Sequence, residues 1–239
     1  MKGTTPAGTT GEEQAAAWVR GMFGRIAGHY DLLNHLLSFN LDRRWRTRTV
    51  RRVESVLARP EARVLDLCCG TGDLTLALEK KRGRAILGSD FCHPMLVAAR
   101  EKVAHGRFGS ALFEADALAL PLADASLDLV TVAFGFRNLA NYNRGLAEMR
   151  RILKPGGVAA ILEFSQPSSR AFAAVYGFFS SRLLPFIGGL ISGSREAYSY
   201  LPASIRKFPS APDLAEDMKR AGFEKVEFER MTGGAVALH

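Results

Sequence analysis

The sequence predicts an α/β protein built on a mostly parallel sheet, and three observations carry that expectation. Short apolar, β-branched runs alternate with helical stretches from residue 63 onward. Turn residues such as Gly70–Thr71–Gly72, Pro121 and Lys154–Pro155–Gly156–Gly157 separate them. The runs are also short and apolar enough to be strands buried on both faces. A chain of 239 residues, 47% hydrophobic and 23% charged, has enough apolar surface for one core and is neither disordered nor collagen-like. Cys68, Cys69 and Cys92 lack CxxC spacing, so no metal site and no disulfide framework is expected, and a reducing, cytoplasmic setting fits.

Taken in order, residues 1–14 (MKGTTPAGTTGEEQ) lack the pattern of an export signal and read as a flexible tail. Residues 15–60 are expected to be helical, with breaks near Gly28 and Ser38–Asn40. Within a core at 61–165, strands are expected at 63–67, 84–90, 111–115, 127–134 and 157–164. Helices are expected from about Asp73, after Pro94 and at 141–153. The apolar stretch 171–192 is interrupted by Ser180, Ser181, Arg182, Pro185 and Gly188–Gly189, which argues for two short helices rather than a membrane span. Phe172, Tyr176 and Phe179 give one of these an aromatic face, suited to core packing or to a lid for a hydrophobic substrate within 166–210. A helix at 211–221 and strands at 223–230 and 233–239, paired through Met231–Thr232–Gly233, complete the single domain.

The net charge of +8 is uneven, with 10 basic and 5 acidic residues in 1–60 against 13 and 12 in 61–165. At helical spacing Arg44, Arg48, Arg51 and Arg52 share one arc, while Trp45, Val50, Val53, Val56 and Leu57 take the other. Such a helix is a solvated face over a core stripe, a dock for an anionic membrane surface, or a nucleic-acid contact. The last is disfavoured. Residues 133–138 read AFGFRN, without the Asn/Asp-Pro-Pro-aromatic tetrapeptide that holds a flipped base.

The segment 64–73 (VLDLCCGTGD) reads as a buried strand, a glycine-rich turn and a helix start. Gly70 and Gly72 let the backbone approach a ligand closely, which points to a nucleotide-type cofactor. Asp90 lies twenty residues after Gly70 at the end of the second strand, where a carboxylate can accept from both ribose hydroxyls. Asp66 and Asp73 would repel a pyrophosphate, and Thr75 replaces the third glycine of GxGxxG, so a dinucleotide is disfavoured. S-adenosylmethionine, with its amino group and sulfonium, suits those carboxylates. After the third strand, Asp116 can bind the adenine amino group and the Ala117 N–H a ring nitrogen.

The DxCCGTGD loop, Asp90, Asp116–Ala117 and LKPGG (153–157) resemble a Rossmann-like S-adenosylmethionine-dependent methyltransferase. Residues 23–46 (FGRIAGHYDLLNHLLSFNLDRRWR), FGFRN (134–138), LEFS (162–165) and the 198–209 stretch narrow the resemblance to the menaquinone/ubiquinone biosynthesis C-methyltransferases, the UbiE/MenG family. The resemblance implies that fold, a mostly parallel sheet with a C-terminal antiparallel strand, N-terminal helices and a helical lid insertion. It further implies that Thr71, Asp90, Asp116 and Ala117 contact the cofactor, joined from the residue reading by Asp66, Gly70 and Gly72. Ala133 departs from the Ser of some members.

The implied reaction methylates a ring carbon of demethylmenaquinol or a related prenylated quinol. That ring must be reduced, because a quinone ring is too electron-poor to attack a sulfonium methyl. Arg137 and Asn138, after the fourth strand, and Tyr30, in the N-terminal block, are the catalytic candidates. His29, Tyr198 and Tyr200 follow. The expected partners are the prenylated quinol and an anionic membrane surface on the inner face of the cytoplasmic membrane, with no nucleic acid and with a homo-oligomer left open. The rival functions are methylation of another lipid, a headgroup or sterol, and a non-catalytic cofactor-binding assembly partner.

Overall fold

The computed structural model describes residues 3–167 and 195–239. Four N-terminal helices, α1 (Glu12–Ile26), α2 (Tyr30–Leu37), α3 (Leu41–Arg52) and α4 (Glu54–Leu57), lead into β1 (Val64–Leu67). There follow α5 (Asp73–Arg82), β2 (Leu87–Asp90), α6 (His93–His105), β3 (Ala111–Glu114), β4 (Leu127–Ala133), α7 (Tyr142–Ile152) and β5 (Leu153–Phe164). The described C-terminal part holds α8 (Arg195–Lys207), α9 (Ala211–Arg220), β6 (Glu229–Met231) and β7 (Val236–Leu238). The expected helices within 171–192, with Phe172, Tyr176 and Phe179, lie outside the described residues.

The seven strands form one sheet in the order β3-β2-β1-β4-β5-β7-β6. β7 runs antiparallel to both β5 and β6, and the other pairs are parallel. Register divides the side chains between two faces. Leu65 and Leu67 of β1 lie beside Val130 and Val132 of β4 and pack with Leu146, Met149 and Ile152 of α7. On the other face Val64 and Leu129 join Val50, Val53, Leu74 and Leu78 from α3 and α5. Asp66, flanked by Leu65 and Leu67, falls on this second face, which brings its carboxylate to Thr75 of α5. The order reverses between β1 and β4, so the loops after both diverge there and leave a crevice at their carboxyl ends.

Three sequence expectations change. Residues 1–14 are not all tail: α1 begins at Glu12, the Thr4 N–H donates to the Leu139 carbonyl at 2.8 Å, and Lys207 Nζ donates to the Thr5 carbonyl at 2.9 Å. β5 starts at Leu153 rather than 157, because Leu153 already pairs with Leu127 and a register shift absorbs the Pro155–Gly156 turn. Of the expected 223–230 strand only Glu229 and Arg230 are in a strand, which runs on through Met231 of the expected turn. Phe223 and Val226, three residues apart, both pack on the α7 side of the core, a spacing that strand periodicity forbids.

Candidate active site

The carboxyl ends of β1, β2, β3 and β4 open into a cleft. Its wall includes Asp66 of β1 with Gly70 and Thr71 after it, Asp90 at the end of β2 with Phe91 after it, Asp116 to Leu118 after β3, and Phe134, Gly135 and Asn138 after β4. Phe23 of α1, Tyr30 of α2 and Arg46 of α3 join them from the N-terminal helices.

The loop after β1 is shaped by three residues at positive φ: Cys68 (53°), Gly70 (56°) and Gly72 (87°). Gly70 faces Tyr30, whose ring lies 3.9 Å from where a Cβ would stand. Gly72 does not line the cleft. It sits behind the loop as the residue before α5, and a Cβ there would meet Ala99 of α6 at 3.4 Å, so its smallness serves helix packing. Burial, and after it the Asp90 charge, push the Cys68 thiol well above its ordinary value, so it is no nucleophile.

Asp90 accepts from the Gly70 N–H and the Cys92 N–H, each at 2.9 Å, one on each carboxylate oxygen. Each oxygen keeps a lone pair for a ligand. Burial raises its pKa to about 6, against the pull of those N–H groups. Asp66 is raised to about 6 by burial as well, moderated by the Thr75 hydroxyl at 2.7 Å and the Thr131 hydroxyl at 2.9 Å. Asp116 is exposed and accepts from the Leu118 N–H at 2.9 Å, which orients it at the cleft rim.

Thr71 is also committed within the protein, donating to Asp31 of α2 at 2.5 Å and accepting from Lys102 Nζ at 3.2 Å. Lys102 bridges Asp31 (2.6 Å) and Asp73 (2.7 Å). Nearby, His35, Asp42 and Asp73 place three potential ligand atoms within 4.8 Å of one another. Arg46 Nη1 already bonds Asp42 and lies 3.5 Å from Asp73. Arg46 and Lys102 supply positive charge to these carboxylates, so the cluster is a network of ion pairs.

Of the three catalytic candidates, Tyr30 and Asn138 line the cleft and Arg137 does not. Arg137 lies behind the wall with its side chain 6% exposed, its Nη1 donating to Glu163 at 2.9 Å and to the Phe134 carbonyl at 2.6 Å. Burial opposes its charge, and the Glu163 carboxylate, with Tyr200 and Tyr30 beside it, outweighs that opposition, so its pKa stands above the ordinary value. Burial raises Tyr30 in turn, leaving a hydroxyl that donates at neutral pH. Sequence reasoning missed Phe23, Arg46, Phe91, Met95 and Leu118 in the wall. Phe91, the residue after the acidic strand end, is the one whose position carried a signal.

Against this geometry, the sequence signature of the ubiE/COQ5 methyltransferase family matches residues 9–239. The chain belongs to that family. A demethylmenaquinone methyltransferase of Thermus thermophilus is 48% identical over 91% of this chain and 98% of its own length. That of Deinococcus radiodurans is 44% identical over 92% and 90%. A ubiquinone/menaquinone biosynthesis C-methyltransferase of Shewanella pealeana is 40% identical over 97% and 92%. Among solved structures, a SAM-dependent methyltransferase of Thermotoga maritima shares the fold with a TM-score of 0.63 at 22% identity, covering 91% of this chain and 96% of that one. The [4+2]-cyclase SpnF does so at 0.67 and 18%, covering 98% and 80%. The expected Rossmann-like methyltransferase fold is therefore the fold observed, and the protein is a methyltransferase of the quinone-biosynthesis family.

The cleft fits the family's cofactor. Four carboxylates line it, Asp66, Asp73, Asp90 and Asp116, two of them buried, which favours a ligand bearing cationic groups and hydrogen-bond donors over an anionic one. Apolar Phe91, Met95 and Leu118 share the same wall as Asp116, as a flat purine with an exocyclic amine requires.

Proposed function

We propose that this methyltransferase acts on a ring carbon of a prenylated hydroquinone of the demethylmenaquinol type. The reading is carried by one cleft having two chemistries: acidic strand ends at Asp66, Asp90 and Asp116, and an apolar, aromatic wall from Phe23, Tyr30, Phe134 and Leu139. S-adenosylmethionine, when bound, supplies an electrophilic methyl on a cationic sulfur. Asp90 holds its ribose hydroxyls, Asp116 and Ala117 its adenine, and Asp66, Gly70 and Thr71 its amino-acid end, while Gly72 shapes the loop from behind.

The substrate ring must enter reduced. As the ring gives a phenolic proton to water, electron density moves onto the neighbouring ring carbon, which would take the methyl as its bond to sulfur breaks, and the hydrogen that carbon carried then leaves as a proton to water so that the ring is aromatic again. The Tyr30 hydroxyl and the Asn138 amide are the donors that stabilise the ring oxygen as charge grows on it. Arg137 acts through the wall, by fixing the Phe134 carbonyl and the Glu163 side chain rather than by touching substrate.

The same reading places the protein on an anionic lipid surface at the inner face of the cytoplasmic membrane, where such a quinol resides. Among the described residues no helix is long and apolar enough to cross a membrane. Leu32 and Leu36 on α2 and Arg43 and Arg44 on α3, the next helix, are instead exposed. The decisive experiment mixes purified protein with S-adenosylmethionine and demethylmenaquinol in its reduced and oxidised forms. Methyl transfer to the reduced form alone is expected, and equal turnover of the oxidised form would overturn the mechanism.

A further inference from the structure

Asn138 stands at the end of a buried hydrogen-bond chain whose direction the acceptor-only atoms determine. The carbonyl of Phe134 can only accept, and Asn138 Nδ2 approaches it at 3.3 Å, so the amide presents nitrogen on that side. The amide oxygen, Oδ1, therefore faces the Tyr200 hydroxyl at 3.0 Å. An amide oxygen cannot donate, so Tyr200 gives its single proton to Asn138. Thr4 Oγ1 lies 2.7 Å from the same hydroxyl, and with the Tyr200 proton spent, Thr4 must be the donor there. Thr4, Tyr200 and Asn138 are 6%, 8% and 8% exposed, so water competes little for any of these bonds.

The chain's origin is itself fixed. The Thr4 N–H donates to the Leu139 carbonyl at 2.8 Å, and Trp18 packs on the Tyr200 ring at 5.0 Å between centroids. The Phe134 carbonyl is also held by Arg137 Nη1 at 2.6 Å, on a residue whose φ is 59°. Both ends of the Asn138 amide are thus anchored, and one Nδ2 proton has no partner among the described residues, at the wall of the cleft.

We propose that Tyr200 and Thr4 are positioning residues for the methyl transfer: the N-terminal segment, through Tyr200, locks the Asn138 amide so that its spare N–H meets the oxygen of the substrate ring. The inference rests on the reaction assigned above. Without the lock only the 3.3 Å bond to the Phe134 carbonyl holds the amide, which can then swing about it and lose the aim of its spare N–H at a developing phenolate.

Tyr200→Phe removes the hydroxyl and keeps the ring against Trp18. Expected is a fall in kcat on the reduced quinol of about tenfold or more, with the Kd for S-adenosylmethionine within about twofold of the parent. Thr4→Val is expected to lower kcat in the same way, and Thr4→Ser, which keeps the hydroxyl, to restore it. Asn138→Ala should lose at least as much, and adding Tyr200→Phe to it should cost nothing further, since both act through one amide. Independent, multiplying losses would overturn the lock, as would parental kcat in Tyr200→Phe or Thr4→Val, or a loss of cofactor affinity matching the loss of kcat. A parent protein inactive on the reduced quinol would instead overturn the assigned reaction, whereas an active parent with an equally active Asn138→Ala variant overturns the amide's role alone.

Discussion

Asp90 shows how a residue pays for a function that the empty protein does not need. Its ordinary pKa is 3.8 and burial raises it to about 6, so the folded state binds a proton more readily than the unfolded chain. Ionised Asp90 therefore weakens the empty fold above about pH 6, and that cost is relieved as pH falls toward 4. Hydrogen-bond donors on a ligand favour the ionised form, so cofactor binding releases a proton and tightens as pH rises through 6. Calorimetry should show the Kd for S-adenosylmethionine rising about tenfold between pH 7.5 and 5. A profile as flat in the parent as in Asp90→Asn would refute this. Arg137 yields a different prediction: Arg137→Ala strands the Glu163 carboxylate, 1% exposed, and should cost about 3–5 kcal/mol in a denaturant titration. A loss below about 1 kcal/mol would show that Glu163 finds water. The place of Asp90 and Asp116 on the cleft wall was legible in the sequence, because a residue at or just after the carboxyl end of a strand opens onto the crevice. Arg137 and Gly72 were misplaced because which side of a wall a side chain takes is decided by tertiary partners, here Glu163 and Ala99, far along the chain.

Among the elements, α2 is tied to the cofactor loop by polar contacts. Asp31 meets Thr71 and Lys102, and His35 Nδ1 lies 2.8 Å from Asp42. Asp31 and Lys102 are 31% and 27% exposed, so each tie contributes little to global stability but much to where α2 rests. Asp31→Ala should leave the melting transition nearly unchanged while the α2 amides exchange with solvent several-fold faster than those of β1 and β4. Equal protection in the two proteins would show that the ties are incidental. The helix breaks near Gly28 and Ser38–Asn40 were readable, since α2 and α3 begin at Tyr30 and Leu41. The start of β5 was not, because Pro155–Gly156 reads as a loop and only pairing with Leu127 keeps Leu153 in the sheet.

For the whole molecule the question is what the basic excess ahead of the core does. The arc of Arg44, Arg48, Arg51 and Arg52 expected from helical spacing is only partly available. Arg48 pairs with Glu229 at 2.9 Å and Arg52 with Glu227 at 3.1 Å, so two of the four tie α3 to the C-terminal edge. Arg43, Arg44 and Arg51 are exposed and form no ion pair among the described residues. Leu32 and Leu36 of α2 are 59% and 48% exposed, one turn apart, and Tyr30 on the same helix lines the cleft. On the proposed function, this exposed apolar pair and these unpaired arginines are the groups that would meet an anionic bilayer. Each arginine near such a surface adds about 1 kcal/mol, and reversing one removes that and adds repulsion. The parent should sediment with phosphatidylglycerol-containing vesicles and release as salt rises, because the Debye length shrinks to about 3 Å at 1 M. Arg43→Glu/Arg44→Glu should weaken vesicle binding by tenfold or more, and Leu32→Ser/Leu36→Ser should weaken it even at low salt, while both keep the parent's cofactor affinity. Turnover on quinol in vesicles should fall with the binding, and turnover on a short-chain soluble quinol should not. Equal binding to purely zwitterionic vesicles, or turnover in vesicles that ignores both double substitutions, would show that this face is solvated and that the quinol reaches the cleft another way.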